Sequence, residues 1–149
     1  VRNVNFSNII ARDINTVFYL VGGCRTRQQQ SFRTPRPGLM EHISITNVLA
    51  DGTGFPSFIV GHPDQPIRDV VLSNIHIRKT RGVYDHIPGP PRAPDRYPTI
   101  YMFGSRAGDE LPAFGLYQSN TERVTLRDFT VESIKPDARP CFAGNESNR

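Results

Sequence analysis

Acidic side chains are the first candidates for chemistry in this chain, because catalysis by carboxyl groups needs a proton donor and a base held at a set separation. Two tight acidic clusters occur, Asp85 beside His86 and Asp109 beside Glu110. Further candidates, Asp51, Asp64 and Asp95, are single residues in predicted loops. No pattern places two carboxylates on one exposed face of a sheet, so the sequence predicts no catalytic pair.

The elements that would position a site are marked by a repeated nine-residue phrase. Its four copies are NVNFSNIIA (3–11), HISITNVLA (42–50), DVVLSNIHI (69–77) and RVTLRDFTV (123–131). Each copy has apolar residues at its second, fourth, seventh and ninth places. The sixth place holds Asn8, Asn47, Asn74 and Asp128, separated by 39, 27 and 54 residues. Self-similarity at a spacing of about 20–50 residues is typical of a solenoid.

The alternation within each phrase has period two, which indicates a strand. In the first copy, Val4, Phe6 and Ile9 are expected to face inward, with Asn5 and Ser7 facing outward. The sixth-place residue lies where the alternation changes phase, which predicts a bend. Stacked amides at that bend are expected to form a buried ladder of hydrogen bonds that satisfies each amide.

A second family of apolar segments separates the phrases and predicts another strand in each coil. These segments are TVFYLVG (16–22), SFIVG (57–61), TIYMFG (99–104) and FGLYQ (114–118). Strands that recur once per coil must pair in parallel, and helical periodicity is nearly absent from the connections. The sequence therefore predicts an all-β fold, a parallel β-helix of about four coils that forms a single domain over 1–149.

Two insertions rich in proline and polar residues interrupt the coils, at 24–39 and 79–98. Proline cannot donate to a strand ladder, so both are predicted to be surface loops. Loops on a rigid stack are frequent recognition sites. The alternative is that the two insertions are connecting loops with no role in recognition.

The charge of +4 comes from sixteen arginines and only two lysines, Lys79 and Lys135. Arginine binds carboxylates and phosphates through its planar guanidinium group, so one interpretation is that the chain binds an anionic polymer. The other is a bias in surface composition that has no binding role. The arginines are scattered and form no basic stripe, which argues against a nucleic-acid partner. The sequence also lacks an apolar run of about 20 residues, the length that a membrane-spanning helix needs, so no membrane span is predicted. Cys24 and Cys141 are predicted to be free thiols in separate coils, and their spacing predicts no metal site.

Together these segments resemble the C-terminal part of the polygalacturonase-like glycoside hydrolases, the family-28 pectinases. The matching text is VRNVNFSNIIARDI, MEHISITNVLA, IVGHPDQPIRDVVLSNIHI and, in the final third, YPTIYMFGSRAGDELPAFGLYQSNTERVTLRDFTVESIKPDARPCF. The resemblance implies a right-handed β-helix, a pectic substrate, hydrolysis with inversion, no cofactor, and a secreted or periplasmic location. Inversion uses two carboxyl groups about 6.5–9.5 Å apart.

The catalytic motifs of that family (Asn-Thr-Asp, Asp-Asp, Gly-His-Gly and Arg-Ile-Lys) have no equivalent here. The partial matches are Gly61-His62 before Pro63, Asn120-Thr121-Glu122 at the start of the last repeat, and Ile77-Arg78-Lys79 at the end of the third phrase. In the family, text like VRNVNFSNI follows Arg-Ile-Lys directly. The resemblance thus implies that the catalytic coils precede Val1, that the chain is truncated at its N-terminal end, and that it is inactive alone.

A substrate contact is still expected on the strand that continues the family's cleft, TVFYLVG. Tyr19 would point outward if Phe18 and Leu20 point inward, and Arg25 and Arg27 follow the strand. An aromatic face for a sugar ring beside guanidinium groups for a uronate carboxylate would form a distal subsite. A packed tyrosine and solvated arginines are the alternative.

Three functions therefore remain open for the chain. In the first, it is the C-terminal scaffold of a pectin hydrolase, with a distal subsite for pectic polysaccharide or acidic oligosaccharide. In the second, it is a non-catalytic solenoid that binds carbohydrate or has a structural role. In the third, it is an assembly piece that another chain completes. An uncapped first coil would expose strand edges, which favours pairing and homo-oligomers through that coil.

Overall fold

The structure is a computed structural model that describes residues 1–22, 38–82, 85–88 and 111–144. Strands are its only regular elements over these ranges. They are β1 (Arg2–Arg12), β2 (Tyr19–Val21), β3 (Glu41–Thr53), β4 (Ser57–Val60), β5 (Ile67–Lys79), β6 (Leu116–Ser119), β7 (Thr121–Ser133) and β8 (Phe142–Gly144). The predicted all-β class is confirmed for the described part of the chain.

The strands form two parallel sheets, and the chain alternates between them, since each long strand belongs to one sheet and each short strand to the other. The long strands make one four-stranded sheet in the order β1-β3-β5-β7, and the short strands make another in the order β2-β4-β6-β8. All the pairings are parallel. A parallel pair normally needs a helical crossover. Here each long strand is followed by a short strand of the other sheet, an arrangement compatible with a β-helix-like solenoid.

The predicted strands coincide with the observed ones where the chain is described. The four nine-residue phrases lie inside β1, β3, β5 and β7, and each strand is longer than its phrase. Segments 16–22, 57–61 and 114–118 contain or overlap β2, β4 and β6. The sequence did not predict β8, and the predicted strand at 99–104 lies outside the described residues.

Inward side chains stack in register-matched columns to build the core. One column runs through Phe6, Ile45, Leu72 and Leu126. Phe6 is 50% exposed because β1 is an edge strand, whereas Ile45 is 5% exposed and Leu72 is 0% exposed in the middle of the sheet. Burying a side chain such as Leu72 contributes about 1.5–3 kcal/mol, so the central strands dominate the stability.

The sixth-place residues make the predicted bends. Asn8, Asn47, Asn74 and Asp128 all have left-handed backbone, with φ between 47° and 59°. Asn and Asp tolerate this conformation better than other side chains. Asn47 Nδ2 donates to Asn8 Oδ1 at 3.0 Å, and Asn74 Nδ2 donates to Asn47 Oδ1 at 2.9 Å.

The amide ladder differs from its prediction in two respects. All four of its positions are exposed rather than buried, because the left-handed residue turns its side chain away from the core. Asp128 does not extend the ladder, since its side chain lacks the amide N–H group that asparagine donates. The oxygen of Asn74 instead contacts His76 Nε2 at 3.1 Å.

A second set of bends, which the sequence did not predict, lies at the first place of each phrase. Asn3, His42, Asp69 and Arg123 have φ between 53° and 56°. Left-handed backbone is unusual for arginine, but Arg123 is held by Asp69 through two hydrogen bonds of 2.6 and 2.8 Å. Each long strand is therefore divided into straight segments by bends five residues apart.

The predicted insertions and thiols are described only in part. Lys79, counted in the second insertion, is the last residue of β5, and most of both insertions lies outside the described residues. Cys141 is a free thiol, and burial raises its pKa to about 11. A thiol with so high a pKa is unreactive near neutral pH, in line with a structural role for Cys141. Cys24 is outside the described ranges.

Candidate functional site

The predicted contact residue Tyr19 opens β2 and faces away from the core. Phe18, immediately before it, is 4% exposed and packs in the main core, whereas Tyr19 is 37% exposed. The Tyr19 ring contacts the Phe58 ring edge-on, with centroids 4.6 Å apart. Such pairs stabilise by about 0.5–1.5 kcal/mol beyond area burial, so the ring is held in place while part of its surface stays open.

Tyr19 is the exposed end of an apolar row on the outer face of the short-strand sheet. Register places Phe58 beside Tyr19, then Tyr117, then Ala143. Phe58 and Tyr117 are 3% and 5% exposed because Leu111 and Ala113 pack against them in a second core cluster. Burial also raises the pKa of Tyr117. Among the described residues of this row, Tyr19 is therefore the most exposed.

The other two predicted contact residues, Arg25 and Arg27, lie outside the described residues. The chain is described as far as Gly22, whose N–H donates to the carbonyl of Val60 at 2.8 Å. The structure thus positions the aromatic part of the candidate subsite, and the arginines follow it by three and five residues in the sequence.

The carboxylates of Asp51, Asp69 and Asp85 are arranged for ion pairing rather than for proton transfer. Asp51 accepts two hydrogen bonds from Arg78, and Asp69 accepts two from Arg123. These bonds lower the pKa of both carboxyl groups. The hydrogen bond from His86 likewise lowers the pKa of Asp85. A general acid needs a raised pKa, so these three groups are unsuited to donating a proton.

A groove of about 380 Å³ on the long-strand sheet was missed by sequence reasoning. Its floor is the outward eighth place of the phrases: Ile10, Leu49, His76 and Thr130. The ladder amides line one side and the ion pair between Asp51 and Arg78 lies on the other. The signal was present in the sequence, because Ile10 and Leu49 are apolar at a place where the alternation expects polar residues.

A buried ionic cluster lies at the end of β5. The Asp137 carboxylate forms an ion pair with Lys79 Nζ at 3.1 Å. It also accepts hydrogen bonds of 2.8 and 2.9 Å from the guanidinium group of Arg139. All three side chains are at most 1% exposed. Arg139 also donates to the carbonyl of Leu111, and Lys79 to that of Gly82. The cluster ties the C-terminal segment to β5 and to the segment before β6.

Hydrogen bonds decide the charge state of the cluster carboxylate. Burial alone would raise the pKa of Asp137, but the hydrogen bonds from Arg139 and Lys79 outweigh burial and lower it. Burial lowers the pKa of Lys79 despite the same contact with Asp137. Since the three groups are packed into protein, their role is structural.

The described residues contain neither a cluster of metal-ligating side chains nor a helix that could span a membrane. Over these ranges no three His, Cys, Asp or Glu side chains come together in a group that could hold a metal ion. The same ranges hold no helix with the length and apolar character required to cross a bilayer.

Comparisons of the chain with protein-family models, with curated proteins and with solved structures find no match.

Proposed function

We propose that this chain is the C-terminal segment of a pectin-directed glycoside hydrolase, wound as a right-handed β-helix of about four coils, and that it serves as scaffold and distal sugar subsite. The observation that carries the proposal is the exposed Tyr19 ring, held by Phe58 on the outer face of the short-strand sheet. A ring fixed in this way pays little conformational entropy when a sugar packs against it.

An acidic oligosaccharide is the ligand that this chemistry favours. The aromatic ring provides an apolar surface for one face of a pyranose, and Arg25 and Arg27 provide forked donors for the carboxylate of a uronate. A neutral sugar would use only the ring. A secreted or periplasmic location, where such polymers occur, is part of the same proposal.

Binding without turnover is the expected behaviour of the chain by itself. Its short strands read YLV, SFIV, LYQS and FAG, and they contain no Asp or Glu. The carboxylates of Asp51, Asp69 and Asp137 are bonded to arginines that lower their pKa. The alternative of a stand-alone binding solenoid predicts the same ligand contact, and sequence upstream of Val1 encoding the family's catalytic motifs would favour the hydrolase.

Replacement of Tyr19 by alanine is expected to weaken the binding of oligogalacturonides about fivefold, because it removes a stacking surface contributing roughly 1 kcal/mol. Tyr19→Phe keeps the ring and should bind nearly as tightly as the wild type. Isothermal titration with a uronate trimer and with its methyl-esterified form measures both effects. The esterified form should bind more weakly, since it lacks the negative charge that the arginines recognise.

Leu49→Ala is the matched control, because Leu49 is also exposed but lies in the groove of the other sheet. It should leave the affinity for the trimer unchanged. Equal affinities of the wild type and Tyr19→Ala would remove the proposed subsite. Release of reducing ends from polygalacturonate by the wild-type chain alone would contradict binding without turnover.

A further inference from the structure

The groove on the long-strand sheet has an apolar floor that is open to solvent among the described residues. Its floor is one register-matched column across the four long strands: Ile10, Leu49, His76 and Thr130. Ile10 is 73% exposed and Leu49 is 55% exposed. Leu49 lies on β3, between β1 and β5, so its exposure comes from facing outward and not from lying at an edge. The His76 ring continues the floor and is held in place by contacts of 2.8 Å with Thr130 Oγ1 and 3.1 Å with Asn74 Oδ1.

Polar side chains are fixed along both sides of this floor. On one side, the amide ladder uses one N–H group of Asn47 and one of Asn74, and each amide nitrogen carries a second N–H group. On the other side, two hydrogen bonds hold the guanidinium of Arg78 against Asp51. A guanidinium has five N–H donors, of which these bonds use two. Donors and acceptors for a ligand are therefore held in position on either side of an apolar strip.

The wall that contains this ion pair carries no net charge. Its register-matched side chains are two cations and two anions, which alternate from strand to strand: Arg12, Asp51, Arg78 and Glu132. The opposite wall presents neutral amides on β1, β3 and β5. A ligand of either charge would gain little from such walls, whereas an uncharged ligand rich in hydroxyl groups could use their donors and acceptors together.

The groove crosses the strands and does not run along them. Two adjoining cavities of about 380 Å³ each have Ile10, Leu49 and His76 in both linings, a volume within the range of about 300–1,000 Å³ that is typical of ligand sites. Neighbouring strands lie about 4.8 Å apart, so the polar groups repeat at a spacing close to the length of one sugar residue in an extended chain. An extended peptide advances about 3.3 Å per residue and would not match this repeat.

We propose that the groove binds an uncharged oligosaccharide that lies across the long strands. The aliphatic side chains of Ile10 and Leu49 pack against the apolar faces of the sugar rings, and the amides and guanidinium groups on the two sides bond to their hydroxyls. Tyr19 belongs to the short-strand sheet. The groove is thus separate from the proposed acidic-sugar subsite, and this inference does not depend on that proposal.

Leu49→Trp is the sharpest variant for testing the proposal, because the chain contains no tryptophan and the emission of the introduced indole reports on the groove alone. An aromatic side chain suits an exposed strand position and offers a sugar ring a better stacking surface than leucine. Titration with galactotetraose, an uncharged tetrasaccharide, should give a saturable blue shift. Isothermal titration should give the variant an affinity about threefold higher than that of the unmodified groove.

Acrylamide quenching of Leu49→Trp without ligand tests whether the groove is open. The indole should be quenched nearly as strongly as free tryptophan in solution, and galactotetraose should protect it. An indole that is already protected in the free chain would show that another part of the chain covers the groove, and this result would overturn the proposal.

Leu49→Ala in a Tyr19→Ala background measures the contribution of the floor without the other sugar contact. It should lower the affinity for galactotetraose about fivefold relative to Tyr19→Ala alone, because apolar contact is lost. Thermal unfolding checks that both variants keep the fold. Equal affinities would place the sugar elsewhere and overturn the proposal.

The charge of the ligand separates this site from the subsite at Tyr19. In the Tyr19→Ala background, galactotetraose should bind more tightly than tetragalacturonate, its acidic counterpart. Absence of galactotetraose binding, or a preference of the groove for the acidic sugar, would overturn this inference. Neither result would affect the subsite at Tyr19, which is tested by the uronate trimer with Leu49 intact.

Discussion

Replacing Asp137 by alanine is expected to destabilise the fold by about 3–5 kcal/mol, because it leaves two buried cations without their shared anion. Lys79 and Arg139 both contact Asp137, and their side chains are 1% and 0% exposed. Neither cation can reach water without moving the segment that it anchors. Equilibrium unfolding in urea, followed by far-UV circular dichroism, measures the change.

Asp51→Ala is the matched control, because Asp51 also holds an arginine through two hydrogen bonds but is exposed. Its loss should be much smaller, since solvent screens an exposed pair and hydrates the arginine left behind. Asp137→Asn keeps hydrogen-bond acceptance without the charge and should fall between the two. Equal effects of Asp137→Ala and Asp51→Ala would show that burial of the cluster contributes nothing.

The same cluster predicts how stability depends on pH. The pKa of Asp137 is lowered in the folded chain from its usual 3.8, so the folded state favours the ionised form. The resulting stability is fully present well above pH 3.8 and is lost as the pH falls through 3.8 toward the lower folded value. Unfolding of wild type and Asp137→Asn at pH 6 and pH 3 should show a smaller acid loss in the variant.

Asn47→Ala is expected to cost about 2–3 kcal/mol, from strain at the left-handed backbone and from two lost ladder bonds. Asn47 has a φ of 55°, donates to Asn8 and accepts from Asn74. Glycine adopts the same backbone without steric strain. Asn47→Gly should therefore cost about half as much as alanine, chiefly through the lost hydrogen bonds.

The comparison of the two variants separates backbone from side chain in the same urea titration. A neighbouring outward residue, Thr46, is the control position, because it lies in the straight part of β3 and outside the ladder. Thr46→Ala should be close to neutral. If alanine and glycine at position 47 were equally destabilising, the left-handed bend would not be a source of strain.

The strands were predictable because their determinants are local. Alternation of apolar and polar residues in the nine-residue phrases requires an extended chain with one buried face, whatever lies beyond it. The bends at Asn8, Asn47 and Asn74 were predictable for a similar reason, since asparagine tolerates left-handed backbone. The bend at Arg123 was not, because nothing in an arginine side chain favours that conformation and it is set by neighbouring strands.

Of the three predicted contact residues, the structure describes Tyr19, and Arg25 and Arg27 stay predictions. The alternation in TVFYLVG predicted the outward direction of Tyr19, and the structure has it. Its contact with Phe58 depends on the register of β2 and β4, which pairs residues 39 positions apart. The groove between the ladder amides and the outer ion pairs was missed because it needs several strands side by side.

By itself, the sequence determined that the chain forms extended strands, that each phrase bends at its sixth place, and which residues face inward. Each of these follows from a side chain and its immediate neighbours. Only the tertiary structure decided that the amide ladder lies in solvent and that Lys79, Asp137 and Arg139 share a buried site. Those properties arise from register between distant segments, and register is fixed by packing of the whole sheet rather than by any one strand.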